Sequence, residues 1–260
     1  MLTFVGLGLY DERDVTLKGR DAIADADSAY AEFYTSVLPA APVEDLEEFH
    51  GTRIEVVDRD EVESGTRVVD DAEDSNVVFL VGGDPMVSTT HADLRLRAHE
   101  RGVETRVVHA PSASTAVCGA TGLQNYRFGA STTLPFDDHE GWEPESPFER
   151  VAENLERDLH TLVYLDIRDT DAGEGVSVTD GRRRFMRADE AAARLRDSDV
   201  DAPLAVGVAR LGSDDVHVFA GTPDEVASHD FGSPLHLLVV PASLHPVEEE
   251  SLETFAGLER

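Results

Sequence analysis

The stretch VGLGLYDERDVTLKG, residues 5–19, runs from an apolar strand through two glycines and directly into four charged residues. Gly6 and Gly8 allow the backbone to approach a flat ligand at the carboxyl end of a strand. The spacing departs from the dinucleotide fingerprint, because Asp11 stands where a third glycine would be needed. The stretch therefore indicates a ligand loop in an α/β fold and disfavours a nicotinamide or flavin enzyme.

Apolar runs of strand length alternate with helical patterns in the first half of the chain, which predicts a mainly parallel sheet. These runs are residues 2–9, 29–34, 54–57, 77–81 and 105–109. In the second half, strand candidates follow one another closely, which predicts a mixed, more antiparallel sheet. They are residues 161–167, 204–209, 216–220 and 235–240, with helices predicted at 148–158, 189–196 and 222–228.

A polar stretch at 127–145, broken by prolines and a glycine, separates the two halves. We therefore predict two α/β domains, residues 1–128 and 129–260, with a ligand cleft between them. Residues 171–181 are rich in glycine and aspartate and read as a surface insertion.

Composition limits the classes of function. Asp and Glu account for 53 of the 260 residues against 22 Lys and Arg, and the formal net charge is −31. The acidic residues are dispersed, which is typical of a surface adapted to high salt and argues against a nucleic-acid partner. There is neither a membrane-length apolar run nor a basic leader, so we expect a cytoplasmic protein without a membrane partner. The only cysteine, Cys118, excludes an internal disulfide and is expected to be a small packing residue.

Three loops follow predicted parallel strands at their carboxyl ends, where open α/β sheets bind ligands. They are residues 6–11, 82–91 and 110–115. Each loop alone is a weak signal, but together they indicate a cleft lined by backbone and small side chains.

These loops also carry a resemblance to a known family. The stretches VGLGLYDERDVTLKG, AEFYTS (31–36), GGDPMVSTTHADLRLRA (82–98), HAPSAS (109–114), TGLQNYRFG (121–129), LHTLVYLDI (159–167), VARLGS (208–213) and LHLLVVPASLH (235–245) resemble the diphthine synthases. That family lies within the tetrapyrrole-methylase-like superfamily, and GLGLYDERD is its most specific motif here. The resemblance implies the two-domain α/β fold of that superfamily and, for a chain this acidic, an origin in a halophilic archaeon.

The resemblance further implies an activity. Diphthine synthases use S-adenosylmethionine to methylate the amino group of 2-(3-amino-3-carboxypropyl)histidine on translation elongation factor 2, in diphthamide biosynthesis. The resemblance also implies that the amino group receives three methyl groups and that the enzyme is a homodimer. Two alternatives stay open: a tetrapyrrole (precorrin-type) methyltransferase, and a non-catalytic nucleotide-binding module for which the glycine loops alone would serve.

Carried over position by position, the resemblance implies a set of S-adenosylmethionine contacts. They are Leu9, Asp84, Val87, Ser112, Ala113, Leu165, Ala209 and His236. From the residues alone, Asp84 before Pro85 suits a helix cap equally well, and a histidine inside an apolar strand is usually a core residue. For both Asp84 and His236 the resemblance favours the ligand.

On the acceptor side, the first loop offers an aromatic ring and carboxylates that suit an amine becoming cationic. The candidates are Tyr10, Asp11, Glu12 and Asp14; the alternative is that these residues cap the next helix. Methyl transfer needs mainly alignment, so no metal is predicted, and His91, His109 and His245 lack metal-ligand spacing. An amine with a pKa of about 8 is partly neutral near pH 7, and no general base is assigned.

The charge predicts salt-dependent stability. With 53 acidic residues and Lys18 as the only lysine, surface repulsion is screened at molar salt but acts over about 10 Å at 0.1 M. We expect the melting temperature to fall as salt is diluted from molar to 0.1 M. Thermal melts in KCl and in NaCl measure this, and a melting temperature that stays level or rises on dilution would contradict the high-salt interpretation.

Overall fold

The computed structural model of the protein describes residues 1–137, 146–169 and 183–259. The strands are β1 (Leu2–Gly6), β2 (Ser28–Glu32), β3 (Ile54–Val56), β4 (Val77–Val81), β5 (Thr105–Val108), β6 (Thr132–Leu134), β7 (Thr161–Leu165), β8 (Ile167–Asp169), β9 (Arg183–Phe185), β10 (Ala205–Ala209), β11 (His217–Gly221) and β12 (His236–Val240). The helices are α1 (Leu17–Ala24), α2 (Val43–His50), α3 (Arg59–Ser64), α4 (Arg67–Asp74), α5 (His91–Glu100), α6 (Ala113–Thr121), α7 (Ser146–Glu156), α8 (Ala188–Asp197), α9 (Pro223–Ala227) and α10 (Pro246–Phe255), with a 3-10 turn at Asn125–Arg127.

The first sheet has the strand order β3-β2-β4-β1-β5, and all its pairs are parallel. Strand β4, VVFLV, is buried along its whole length, as expected of a central strand covered on both faces. Beside it, Phe4 and Phe79 meet edge to face with ring centroids 5.8 Å apart. The predicted parallel sheet is confirmed, and it places the carboxyl ends of β4, β1 and β5 side by side.

The second sheet has the order β11-β10-β12-β7-β6, with three antiparallel pairs and one parallel pair, β6 with β7. The predicted mixed sheet is confirmed. Strand β6 was not predicted, because it lies within the stretch interpreted as a break at 127–145. Three residues are too few to show periodicity, yet Leu134 is 1% exposed and belongs to the core of this half.

The described chain divides into two compact units, Met1–Ala113 and Ser114–Arg260. The sequence placed the domain boundary later, at 128/129. Residues from Ser114 onward belong to the second unit. The reason is that Val117 and Leu123 pack with Leu162 and Val206 in its core. Cys118, on α6, is half-buried, and burial raises the pKa of its thiol.

Helix α9 begins as predicted, with a capping box between Thr222 and Glu225 and Pro223 in its first turn. The predicted insertion at 171–181 lies outside the described residues. Among the helices that are described, none has the length and apolarity to cross a membrane.

A buried carboxylate, Glu248, organises the end of the second unit. Its Oε1 accepts from the backbone N–H of Gln124 at 2.9 Å and from Nε2 of His160 at 3.0 Å. Its Oε2 accepts from Nη1 of Arg127 at 2.6 Å and from the backbone N–H of His245 at 2.8 Å. Burial raises the pKa of Glu248, but these hydrogen bonds outweigh it and hold the pKa below its ordinary value. Two residues of the TGLQNYRFG stretch, Gln124 and Arg127, therefore donate hydrogen bonds to this carboxylate.

We expect Glu248→Ala to destabilise the protein by about 3–5 kcal/mol, because it leaves the Arg127 guanidinium and three other donors without their acceptor. Glu249→Ala is the matched control, since Glu249 is the exposed neighbour on the same helix, and it should change stability by less than about 0.5 kcal/mol. Urea unfolding at constant salt measures both. Equal midpoints for the two variants would contradict the organising role of Glu248.

Candidate functional site

The first two loops of the first unit are joined through glycine backbone. The N–H of Gly83 donates to the carbonyl of Gly8 at 2.6 Å, and Gly8 donates back at 3.4 Å. Both residues have positive φ, +84° and +73° for Gly8 and Gly83. A Cβ on Gly8 would lie 2.2 Å from Cβ of Asp14, and one on Gly6 would lie 2.5 Å from the carbonyl oxygen of Gly83. The glycines of the opening motif thus allow two loops to approach each other closely, in addition to any approach of the backbone to a ligand.

The carboxylate of Asp14 orders the first loop from within. Its Oδ2 accepts from the backbone N–H groups of Leu9 at 3.0 Å and of Tyr10 at 2.7 Å. Because the N–H of Leu9 is occupied in this way, a backbone contact from Leu9 to a ligand would use its carbonyl oxygen. Asp14 therefore has a structural task in addition to the acceptor-side role predicted for it.

The rest of the acidic cluster closes a tight turn. Oδ1 of Asp11 accepts from the N–H of Arg13 at 2.9 Å, and the N–H of Asp14 donates to the carbonyl of Asp11 at 3.3 Å. The helix that follows is capped by Thr16, whose side chain accepts from Gly19. Helix capping therefore does not account for the acidic cluster. Tyr10, Asp11 and Glu12 are half-buried on this turn, and their acceptor-side role stays a prediction.

Asp84 ties the second loop to the third. Its side chain is 7% exposed, and Oδ1 accepts from the N–H of Met86 at 3.0 Å, as in a cap. Its Oδ2 lies 2.8 Å from Nδ1 of His109 and accepts from the N–H of Ala110 at 3.3 Å. The hydrogen bond to His109 joins residues 25 positions apart in sequence, and the sequence pattern carried no signal for it.

A second buried contact fixes the second loop from the other side. His91 is fully buried, and its Nδ1 lies 3.0 Å from the carbonyl oxygen of Pro85. Its Nε2 is 3.4 Å from Oε1 of Glu32, without hydrogen-bond geometry. Glu32 is also fully buried and accepts from the backbone N–H groups of Tyr34 and Thr35, both at 3.1 Å. These buried contacts give His91 a structural role.

The remaining predicted contacts of the first unit lie on the second and third loops: Val87 on the second, and Ser112 and Ala113 on the third. Val87 is 39% exposed, and a Cβ added at Gly83 would meet no atom within 4 Å. Ser112 is buried, and Ala113 is the first residue of α6. An apolar side chain, open glycine backbone and a buried carboxylate at one sheet edge fit a ligand with a flat base and a positive charge.

The three predicted contacts of the second unit gather at one edge of its sheet. Ala209 and His236 are direct partners in the β10–β12 ladder. Leu165 ends β7 and follows Tyr164, whose partner on β12 is Leu237. The antiparallel register therefore places Leu165 beside His236, and it brings together three positions that the sequence scatters.

The ring of His236 is held by backbone groups. Its Nδ1 accepts from the N–H of Ala188 at 3.2 Å, and its Nε2 donates to the carbonyl of Ser233 at 2.9 Å. Burial lowers the pKa of His236 to about 4, so the ring is neutral at pH 7. Both ring nitrogens are satisfied, so neither is free to hydrogen-bond a ligand.

No pattern in the sequence pointed to the side chain of Glu32 or to the hydrogen bond between Asp84 and His109, both of which position the loops. Among the residues that the structure describes, no three His, Cys, Asp or Glu side chains are grouped as metal ligands would be.

Comparison with known proteins decides the family. The sequence pattern of Tetrapyrrole (Corrin/Porphyrin) Methylases matches residues 1–227. The chain belongs to this family. It is 53% identical to a diphthine synthase of Haloarcula marismortui, over 99% of this chain and 98% of that protein. It is 48% identical to one of Methanocorpusculum labreanum, over 99% and 100% of the two chains. A crystal structure of diphthine synthase superposes with a TM-score of 0.86 at 39% identity, covering 98% of this chain and 96% of the other.

Membership of the methylase family confirms the predicted fold class and the class of enzyme, a methyltransferase. The resemblance to diphthine synthases extends over the full chain, with relatives from halophiles and from methanogens. The residues that contact cofactor and acceptor stay predictions.

The buried ring of His236 predicts a dependence of stability on pH. Its folded-state pKa, about 4, lies below the ordinary 6.5, so the unfolded chain binds the proton more tightly. The stabilisation is complete above about pH 6.5 and is lost as pH falls toward about 4. We expect urea unfolding of His236→Gln to show a weaker loss of stability over this range than the wild type, whereas His99→Gln, at an exposed position, should follow the wild type. If the free energy of unfolding fell with pH in parallel for the wild type and His236→Gln, this role of the buried ring would be contradicted.

Proposed function

We propose that this protein is an S-adenosylmethionine-dependent methyltransferase that modifies translation elongation factor 2. The acceptor is the amino group of 2-(3-amino-3-carboxypropyl)histidine, and the product is diphthine, with three methyl groups per acceptor. The observation that carries the proposal is identity of 53% to a diphthine synthase over 99% of the chain. The match covers 98% of the relative's length as well, so it extends over both units of this chain.

The first unit supports the cofactor side of the proposal. S-Adenosylmethionine supplies a methyl group on a positively charged sulfur. The carboxylate of Asp84 favours positive charge nearby, and Val87 offers an exposed apolar surface suited to the adenine. The proposed set of contacts is completed by Leu9, Ser112, Ala113, Leu165, Ala209 and His236.

The setting of the enzyme is also part of the proposal. A dispersed net charge of −31 with one lysine is consistent with the cytoplasm of a halophilic archaeon, where elongation factor 2 is found. We propose a homodimer there, and neither a metal nor a nucleic acid takes part.

A tetrapyrrole methyltransferase is the second candidate, because the matching family is described by corrin and porphyrin methylases. Incubation with S-adenosylmethionine and either modified or unmodified elongation factor 2, followed by mass spectrometry, separates the two. We expect increments of one to three methyl groups on the modified factor only. Transfer to a precorrin with none to the modified factor would overturn the proposal. Binding of ATP or NAD in place of S-adenosylmethionine, measured by calorimetry, would favour a nucleotide-binding module instead.

Tyr10 tests the acceptor side of the loop. An aromatic face attracts an alkylammonium by up to about 2 kcal/mol when desolvated, and this attraction grows as methyl groups are added. We expect Tyr10→Leu to slow the second and third transfers more than the first, so that under-methylated factor accumulates in mass spectra. Tyr126→Leu, at a residue that is 75% exposed, is the control and should leave the pattern unchanged. If Tyr10→Leu slowed all three transfers equally, the acceptor-side role would be contradicted and Tyr10 would be a packing residue.

A further inference from the structure

The pair formed by Asp84 and His109 has an unusual distribution of exposure. The carboxylate is 7% exposed, whereas the imidazole, 2.8 Å away, is 71% exposed. His109 directly follows β5 and stands three residues before Ser112, while Asp84 stands three residues before Val87. The ring is therefore anchored at its buried side and open at the edge where cofactor contacts are proposed.

The carboxylate decides which ring nitrogen carries the proton. Asp84 accepts at both oxygens, from Met86 and Ala110 as well as from the ring, which is the pattern of an ionised carboxylate. Such a group only accepts hydrogen bonds, so Nδ1 of His109 must be the donor. In the neutral ring this leaves the lone pair on Nε2, at the end of the ring away from the carboxylate. A histidine oriented by a buried carboxylate in this way is the arrangement of a general base.

We infer that His109 is the proton acceptor of the methyl transfer, and that Asp84 is a positioning residue that fixes its ring and tautomer. The inference rests on the proposed function, and it assigns a general base, which the sequence alone did not. An alkylammonium has no lone pair with which to attack a methyl group, and each transfer again produces an alkylammonium. The nitrogen must therefore lose a proton before every round.

The proton balance is the same in each round. The acceptor ammonium passes one proton to Nε2 of His109, which becomes an imidazolium. The freed nitrogen lone pair forms a bond to the methyl carbon while the carbon–sulfur bond breaks, and its electron pair stays on sulfur as a neutral thioether. The nitrogen carries one positive charge again, and the imidazolium gives its proton to water. Three rounds release three protons and end at the quaternary nitrogen, which has none to lose.

The test compares His109→Asn and His109→Ala with the wild type on modified elongation factor 2. The asparagine side chain retains an N–H donor for Asp84 but has no basic nitrogen. Single-turnover rates with excess enzyme isolate the transfer, and calorimetry gives the affinity for S-adenosylmethionine. We expect His109→Asn to bind the cofactor within about threefold of the wild type and to transfer methyl about 10²-fold more slowly. His109→Ala should be equally slow, and added imidazole should restore its rate at least about tenfold. His99→Asn, at an exposed histidine, should match the wild type.

A readout without turnover tests the geometry. In ¹⁵N spectra of the enzyme alone, His109 should show the Nδ1–H tautomer, and Asp84→Asn should shift the tautomer balance. Wild-type transfer rates in His109→Asn, an Nε2–H tautomer, or no rescue by imidazole in a folded His109→Ala would each overturn the inference. A parallel loss of cofactor affinity and rate would also do so, since it would mean that His109 only holds the loops together. These failures are distinct from failure of the proposed function, in which the wild type itself leaves the modified factor unmethylated.

Discussion

The contact between the backbones of Gly8 and Gly83 is the constraint on which the candidate ligand site of the first unit depends. Parallel strands bring their carboxyl ends to one edge, but the loops that leave them usually diverge. Here the two loops hydrogen-bond to each other, at positive φ and at distances that no side chain would permit. The carboxylates of Asp14 and Asp84 then have fixed backbone donors to accept from.

Acidic side chains near the candidate site act first on the protein itself. Asp14 orders the loop after β1, Asp84 ties the loop after β4 to the loop after β5, and Glu32 accepts from the turn after β2. Each is a carboxylate that meets backbone N–H groups, which are strong donors to a charged acceptor. Preorganisation of this kind places the loops before any ligand arrives, and such alignment is what methyl transfer mainly requires.

Much of the fold could be predicted from the sequence, because runs such as VVFLV at β4 and the capping box at Thr222 are local signals. The three-residue β6 was missed since it is too short for periodicity. The loops of the candidate site could be predicted from the sequence, because they follow apolar strands, whereas the individual contact residues came only from the resemblance and stay predictions. The bond between Asp84 and His109 depends on the tertiary approach of two loops, which spacing along the chain does not encode. The hydrogen bond from the Ala188 N–H to the ring of His236 is also non-local, and the contact of His236 with a cofactor stays a prediction.

The edge strand β3 bears on how such a chain stays dispersed. An exposed sheet edge is a template for pairing with other molecules, and many proteins protect it with charge repulsion. In concentrated salt that repulsion reaches only about 3 Å at 1 M. Strand β3 has only three residues, and the carboxylate of Glu55 within it is held in an ion pair with Arg67. So short a strand offers few free backbone groups to a second molecule, and this protection against aggregation is geometric and does not weaken as salt rises.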